Sequence, residues 1–170
     1  MKKTIDEEER ADEAMKQTID QLEKKFNGLQ EVARKEPNIM FTAVLTSHKS
    51  LRQNTIVDYD RIITNVGGAY NERTGIFSCP VAGYYHFEVH AQAAYQNDYW
   101  LQLTVNEKKI FTLGGASSVG AYRGTSNSGI VKLSSGDQVK VSSWSTNAAK
   151  LWATPDWLDN SFSGRLLAQE

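Results

Sequence analysis

Cysteine occurs once, at Cys79, and proline only three times in 170 residues. A single thiol cannot close an internal disulfide, so cysteine usage leaves the redox compartment open. No apolar run approaches the ~20 residues that a bilayer span needs, and no membrane insertion is expected. An excess of one charge is missing too: 19 Lys and Arg stand against 20 Asp and Glu, a formal net charge of −1. Without a basic field, nucleic acid is not an expected partner. Met1-Lys2-Lys3 leads into Asp6-Glu7-Glu8-Glu9 where a secretory leader would be apolar, so these residues read as no signal peptide. Histidine is scarce, at His48, His86 and His90. No nucleophile elbow, P-loop or dinucleotide fingerprint accompanies it. A hydrolytic triad needs a nucleophile beside an oriented histidine, so no enzymatic activity is expected. A collagen-like Gly-X-Y repeat is also absent.

What is present falls into two halves with different periods. In residues 1–36, Ile5, Met15, Ile19, Leu22, Phe26, Leu29 and Ala33 lie on three- and four-residue steps. Asp12, Ile19, Phe26 and Ala33 take one seam position of a heptad, and Met15, Leu22 and Leu29 the other. A short helical coiled-coil stalk is expected, ending before Pro37. From residue 37 to 170 the period becomes two. Tyr85, Phe87 and Val89 alternate with His86, Glu88 and His90, and Leu101, Leu103 and Val105 with Gln102 and Thr104. Asn106 to Lys109 reads as the turn of a first hairpin. Ser134-Ser135-Gly136-Asp137 reads as the turn of a second, between Ile130–Leu133 and Val139–Val141. Many short strands without a helical stretch indicate an all-β sandwich.

Asn65, Tyr70, Phe77, Gly83, Tyr85 and Phe87 sit at the spacings that mark the C1q domain. The likeness continues through Ser128-Gly129-Ile130-Val131-Lys132-Leu133 to Asn160-Ser161-Phe162-Ser163-Gly164-Arg165-Leu166-Leu167. Residues 38–170 thus resemble a C1q-type head. Tyr59 stands where that pattern has phenylalanine, and Val89 where it has an aromatic. The resemblance implies a ten-stranded jelly roll of the C1q and tumour necrosis factor type, homotrimeric and secreted to the extracellular space. With a heptad stalk in place of collagen, the chain looks most like soluble invertebrate C1q-domain lectins.

His86, Glu88 and His90 share one strand face. Their Cα atoms span about 13 Å, too far for three ligands of one ion from one strand. They read as a polar face, and the resemblance turns that face toward the threefold axis of a trimer. No metal and no cofactor are expected.

Reading the strands up and down puts the loops at 96–98, 114–123 and 146–159 at the apical end, away from the domain's termini. Tyr95, Tyr99, Trp100, Tyr122, Trp144, Trp152 and Trp157 gather there. Alternation turns Trp100 and Trp144 away from the core, and the resemblance makes their strands neighbours in the outer sheet, so that the two rings would form a flat platform for the C–H faces of a sugar. The alternative is that parity breaks at the strand ends and both rings tuck into the core. Tyr99, Tyr122, Arg123, Lys150, Trp152 and Trp157 complete the expected ligand-binding set, the two cations suiting an acidic sugar. The expected function is a trimeric lectin that binds a glycan or glycoprotein, with sialic acid among the candidate sugars, in innate immune recognition. The competing readings are a protein-binding ligand of the cytokine-like or synaptic kind and a structural extracellular module.

Overall fold

The computed structural model describes residues 2–35, 37–115, 122–144, 146 and 148–170. Residues 116–121, within the expected apical loop from Gly114 to Arg123, lie outside the described residues. The chain forms two compact units, Met1–Glu36 and Pro37–Glu170.

The first unit is one helix, α1 (Lys2–Lys35). It contains no proline, so every turn keeps its i to i−4 hydrogen bonds. Met15, Ile19, Leu22, Phe26 and Leu29 fall on one stripe and are 49% to 66% exposed. The helix is not long and apolar enough to cross a membrane.

The second unit is a two-layer sandwich. In one sheet, β1 (Met40–Val44), β3 (Arg61–Val66), β6 (Gly83–Gln92), β9 (Gly124–Leu133) and β12 (Ser161–Gln169) take the order β3-β1-β12-β6-β9. In the other, β4 (Tyr70–Asn71), β5 (Ile76–Ser78), β7 (Tyr99–Val105), β8 (Lys108–Gly115) and β10 (Gln138–Ser143) run β4-β5-β10-β7-β8. A short ladder joins β2 (Lys49–Leu51) to β11 (Ala149–Leu151). The two main sheets hold the ten strands of a jelly roll, and the small ladder is an addition at the apical end.

The first hairpin forms as expected. Asn106 and Glu107 both take positive φ, 46° and 68°, which closes a two-residue turn between Val105 and Lys108. The second does not. β9 is the edge of one sheet while β10 is central in the other. The Ser134–Asp137 turn therefore carries the chain between layers, held by the Asp137 carboxylate on the Ser134 N–H at 2.8 Å. Alternation also slips in β7. Thr104 is buried and Val105 only partly covered, opposite a bulge in which Ile110 of β8 stands between the partners of Leu103 and Thr104.

Both sheets close on aromatics. Phe41 of β1 stacks on Tyr70 of β4, with centroids 4.8 Å apart and planes 1° from parallel. It also meets Phe77 at 5.3 Å and the edge of Phe162 at 4.8 Å. Gly164 leaves room for this cluster, because a Cβ there would come within 2.6 Å of both the Phe41 and Phe87 rings. β1 starts and β12 finishes at one end of the sandwich, and Ser161 pairs with His90 and Val44 near the other. That second end is the apical one.

Tyr59 is fully buried, and among the described residues its hydroxyl has no hydrogen-bond partner. Burial pushes its ionisation well above the ordinary value of 10.0. A Tyr59→Phe change should therefore stabilise the head by about 1 kcal/mol, since it removes an unsatisfied polar group and keeps the ring. The raised folded value means the wild type is fully stable below the ordinary tyrosine range and loses stability as pH climbs above it. The variant's advantage should thus grow between pH 7 and pH 10.5 in urea unfolding. A lower midpoint for the variant at neutral pH would contradict the assignment.

Candidate functional site

Trp100 and Trp144 meet on the outer face of the second sheet. Residue 100 is the second of β7 and residue 144 follows β10, and the two strands pair in antiparallel register. The Trp144 N–H donates to the Trp100 carbonyl at 3.1 Å, extending that pairing by one step. Side-chain alternation does the rest: Leu101, Leu103, Val139 and Val141 are buried, and both indoles turn outward, 41% and 37% exposed. The rings sit 5.9 Å apart at 61°. Trp100 lies against its cross-strand partner Gly114, filling the space a side chain would take there. Glycine is what lets the indole lie down on the sheet. The Lys109 ammonium stands 4.7 Å from the Trp144 ring centroid, a cation–π contact that leaves a positive charge beside the indole pair.

A second group of aromatics surrounds an apical cavity of about 350 Å³, lined by Gln92, Tyr122, Trp152, Thr154, Asp156 and Trp157. Tyr122 and Trp152 meet at 5.0 Å and 62°, Tyr95 continues the row 5.7 Å from Tyr122, and His48 backs Trp152 at 4.2 Å. Trp157 comes from a tight turn in which Thr154 and Trp157 exchange both backbone hydrogen bonds, at 3.3 and 3.2 Å. Buried Asn160 ties this end together. Its amide donates to the Trp152 carbonyl, and its oxygen accepts from the Gln92 N–H at 2.9 Å.

The expected ligand-binding set thus divides. Trp100 and Trp144 form one surface, and Tyr122, Trp152 and Trp157 another. Arg123 and Lys150 are exposed at the apical end but do not line the cavity. Tyr99 belongs to neither surface and is corrected to the core. It is fully buried, its hydroxyl donates to the Ala91 carbonyl at 2.6 Å, and it accepts from the Thr125 N–H at 3.1 Å. At the first residue of β7, Tyr99 is on the same side as Leu101 and Leu103, so the parity that turns Trp100 outward turns it inward. Lys109, Gln92, Thr154 and Asp156 were missed by sequence reasoning. Only Pro155-Asp156, a turn dipeptide next to a tryptophan, carried a readable signal.

His86, Glu88 and His90 point outward from β6, with Arg165 and Ser163 beside them on β12. The same sheet exposes Tyr84, Ile130, Leu167 and Ile63. No group of three or more His, Cys, Asp or Glu able to hold a metal ion occurs among the described residues. Cys79 is buried, its thiol donating to the Val81 carbonyl at 3.1 Å, and desolvation pushes its ionisation up.

Two five-stranded antiparallel layers of this order, packed face to face on an aromatic core, define a jelly-roll head of the C1q and tumour necrosis factor type. The C1q domain model matches residues 40–167, and the chain belongs to that family. Its head is a ligand-binding module of the C1q/TNF kind. It is similar to complement C1q tumor necrosis factor-related protein 2 of Mus musculus, 28% identical over 116 residues, 68% of this chain and 39% of that one. Complement C1q tumor necrosis factor-related protein 3 of Mus musculus is 30% identical over 105 residues, 61% of this chain and 42% of that one. The chain thus spans less than half the length of these relatives. In fold it resembles the globular domain of zebrafish complement 1qA protein, with a TM-score of 0.66 at 18% identity, covering 78% of this chain and 99% of that one. Murine APRIL gives a TM-score of 0.62 at 16% identity, over 76% and 99% of the two chains.

A Tyr99→Phe change should cost about 1–3 kcal/mol of folding stability, because it leaves the Ala91 carbonyl and Thr125 N–H short of a partner. Ligand binding at the exposed aromatics should be unaffected in the folded variant. Chemical denaturation and a binding titration on the same sample check both, and wild-type stability with weakened binding would return Tyr99 to the site.

Proposed function

We propose that this protein is a carbohydrate-binding C1q-type lectin that works outside the cell as a homotrimer. The observation that carries the reading is the outward-facing Trp100–Trp144 pair with the Lys109 ammonium beside it. Indole faces desolvate the C–H faces of a pyranose, and a fixed cation next to them suits a carboxylate-bearing sugar such as sialic acid. Lys109 takes the part that sequence reasoning gives to Arg123 and Lys150. Gly114 seats the Trp100 ring, and the Trp144 ring packs against Trp100 and Lys109, so little side-chain entropy would be lost on binding.

Trimer assembly would use the face carrying His86, Glu88 and His90. The exposed Tyr84, Ile130 and Leu167 on that sheet would lose water there, and the Met15 to Leu29 stripe of α1 would pack on its own copies. Sedimentation of the full chain as a folded monomer would contradict this part.

The lectin reading is tested with a glycan array followed by calorimetry. Trp100→Ala should weaken binding of the best saccharide about thirtyfold, or ~2 kcal/mol, and Lys109→Gln should weaken acidic saccharides more than neutral ones. Both variants should unfold near the wild-type midpoint, whereas a Phe87→Ala control should lose ~3–5 kcal/mol. Unchanged affinity in both tryptophan variants, Trp100→Ala and Trp144→Ala, would overturn the platform. An array with no saccharide signal would overturn the lectin.

A further inference from the structure

We propose that the apical cavity is a separate binding site for a small quaternary ammonium group, of the kind carried by choline. The chemistry of its walls points there. Tyr122, Trp152 and Trp157 supply three aromatic rings to its wall, and because Tyr122 and Trp152 meet at 62° the wall they share is a corner rather than a flat face. Among the described residues, the only charged side chain lining the cavity is that of Asp156, and its carboxylate has no ion-pair or hydrogen-bond partner among them. Aromatic rings and a carboxylate together attract a cation and repel an anion. An acidic sugar finds no base in this wall, which is the reverse of the surface at Lys109. The volume of about 350 Å³ is at the small end of the range for ligand pockets.

The walls are already in position. Trp157 and Asp156 share the turn from Thr154, whose hydroxyl also accepts the Trp157 N–H at 3.2 Å, and Pro155 fixes φ inside it. The Arg61 guanidinium donates to the Pro155 carbonyl at 3.5 Å and tethers the turn to β3. Trp152 is held between His48 and Tyr122. A trimethylammonium group is poorly hydrated and needs no hydrogen bonds, so it loses little on entering such a corner, and Gln92 and Thr154 remain for a hydroxyl or ester tail.

The proposal does not rest on the lectin reading, and its test separates the two. Full-length protein is titrated by calorimetry with choline, with 3,3-dimethylbutan-1-ol as the uncharged isostere of the same shape, and with neutral monosaccharides. Choline should bind saturably, at least tenfold more tightly than the isostere. Trp157→Ala should abolish the signal, Asp156→Asn should weaken it about fivefold, and Trp100→Ala should leave it unchanged. Trp157 is 64% exposed, so its loss should not unfold the head, and Trp157→Phe should restore part of the binding. No saturable choline binding, equal binding of the isostere, or a choline response lost with Trp100 would each overturn the proposal. So would a monosaccharide that binds through Trp157 where choline does not.

Discussion

Phe41 lies flat on Tyr70 and edge-on to Phe162, and this contact between layers is the constraint on which the rest of the head depends. Phe77, Phe87 and Tyr85 join the same cluster through ring contacts of 5.3 to 6.5 Å. Rings this close fix the separation and the relative slide of the sheets, since an interior at crystal-like density has no slack to absorb a shift. Gly164 is part of that geometry. β12 can pass between β1 and β6 only because residue 164 brings no side chain into the Phe41–Phe87 contact. With the centre of the sandwich closed by these aromatics, the core does not need the exposed aromatics of the apical end and the outer face.

That division explains where the remaining aromatics stand. Trp100, Trp144 and Trp157 are large, apolar and outward-facing, and each is held by backbone: a cross-strand glycine, a ladder hydrogen bond, a proline-bearing turn. Their two surfaces differ in charge. The indole pair carries an ammonium beside it, and the apical cavity carries a carboxylate. If both surfaces bind as proposed, opposite charges next to similar apolar walls would sort their ligands by sign before shape matters.

Much of this was legible in the residues. The change from a heptad to a period of two at Pro37, the inward set of Tyr85, Phe87 and Val89, and the outward turn of Trp100 and Trp144 all follow from spacing, because side-chain direction in a strand depends on parity alone. What was not legible depends on events that parity cannot carry. The layer change after Leu133 has the same local signal as a hairpin, since Gly136 and Asp137 make a good turn whichever sheet receives the next strand. The bulge at Ile110 of β8 shifts register without any glycine to announce it. Tyr99 was misread by counting it with its apical neighbours, although its parity is that of Leu101. Lys109 of β8 reaches Trp144 across the intervening β7, a contact set by the strand order and not by local sequence.

If the aromatic cluster around Phe41 carries the head, adding one methyl group inside it must matter more than deleting exposed indoles. The direct measurement compares urea unfolding of Gly164→Ala with that of a Trp100→Ala, Trp157→Ala double variant, one residue from each surface. Overpacking at Gly164 should cost roughly 1–3 kcal/mol, while the two surface deletions together should cost less, at most about 1 kcal/mol. A double variant that unfolds earlier than Gly164→Ala would mean that the exposed tryptophans hold the fold together and are not free to serve a ligand.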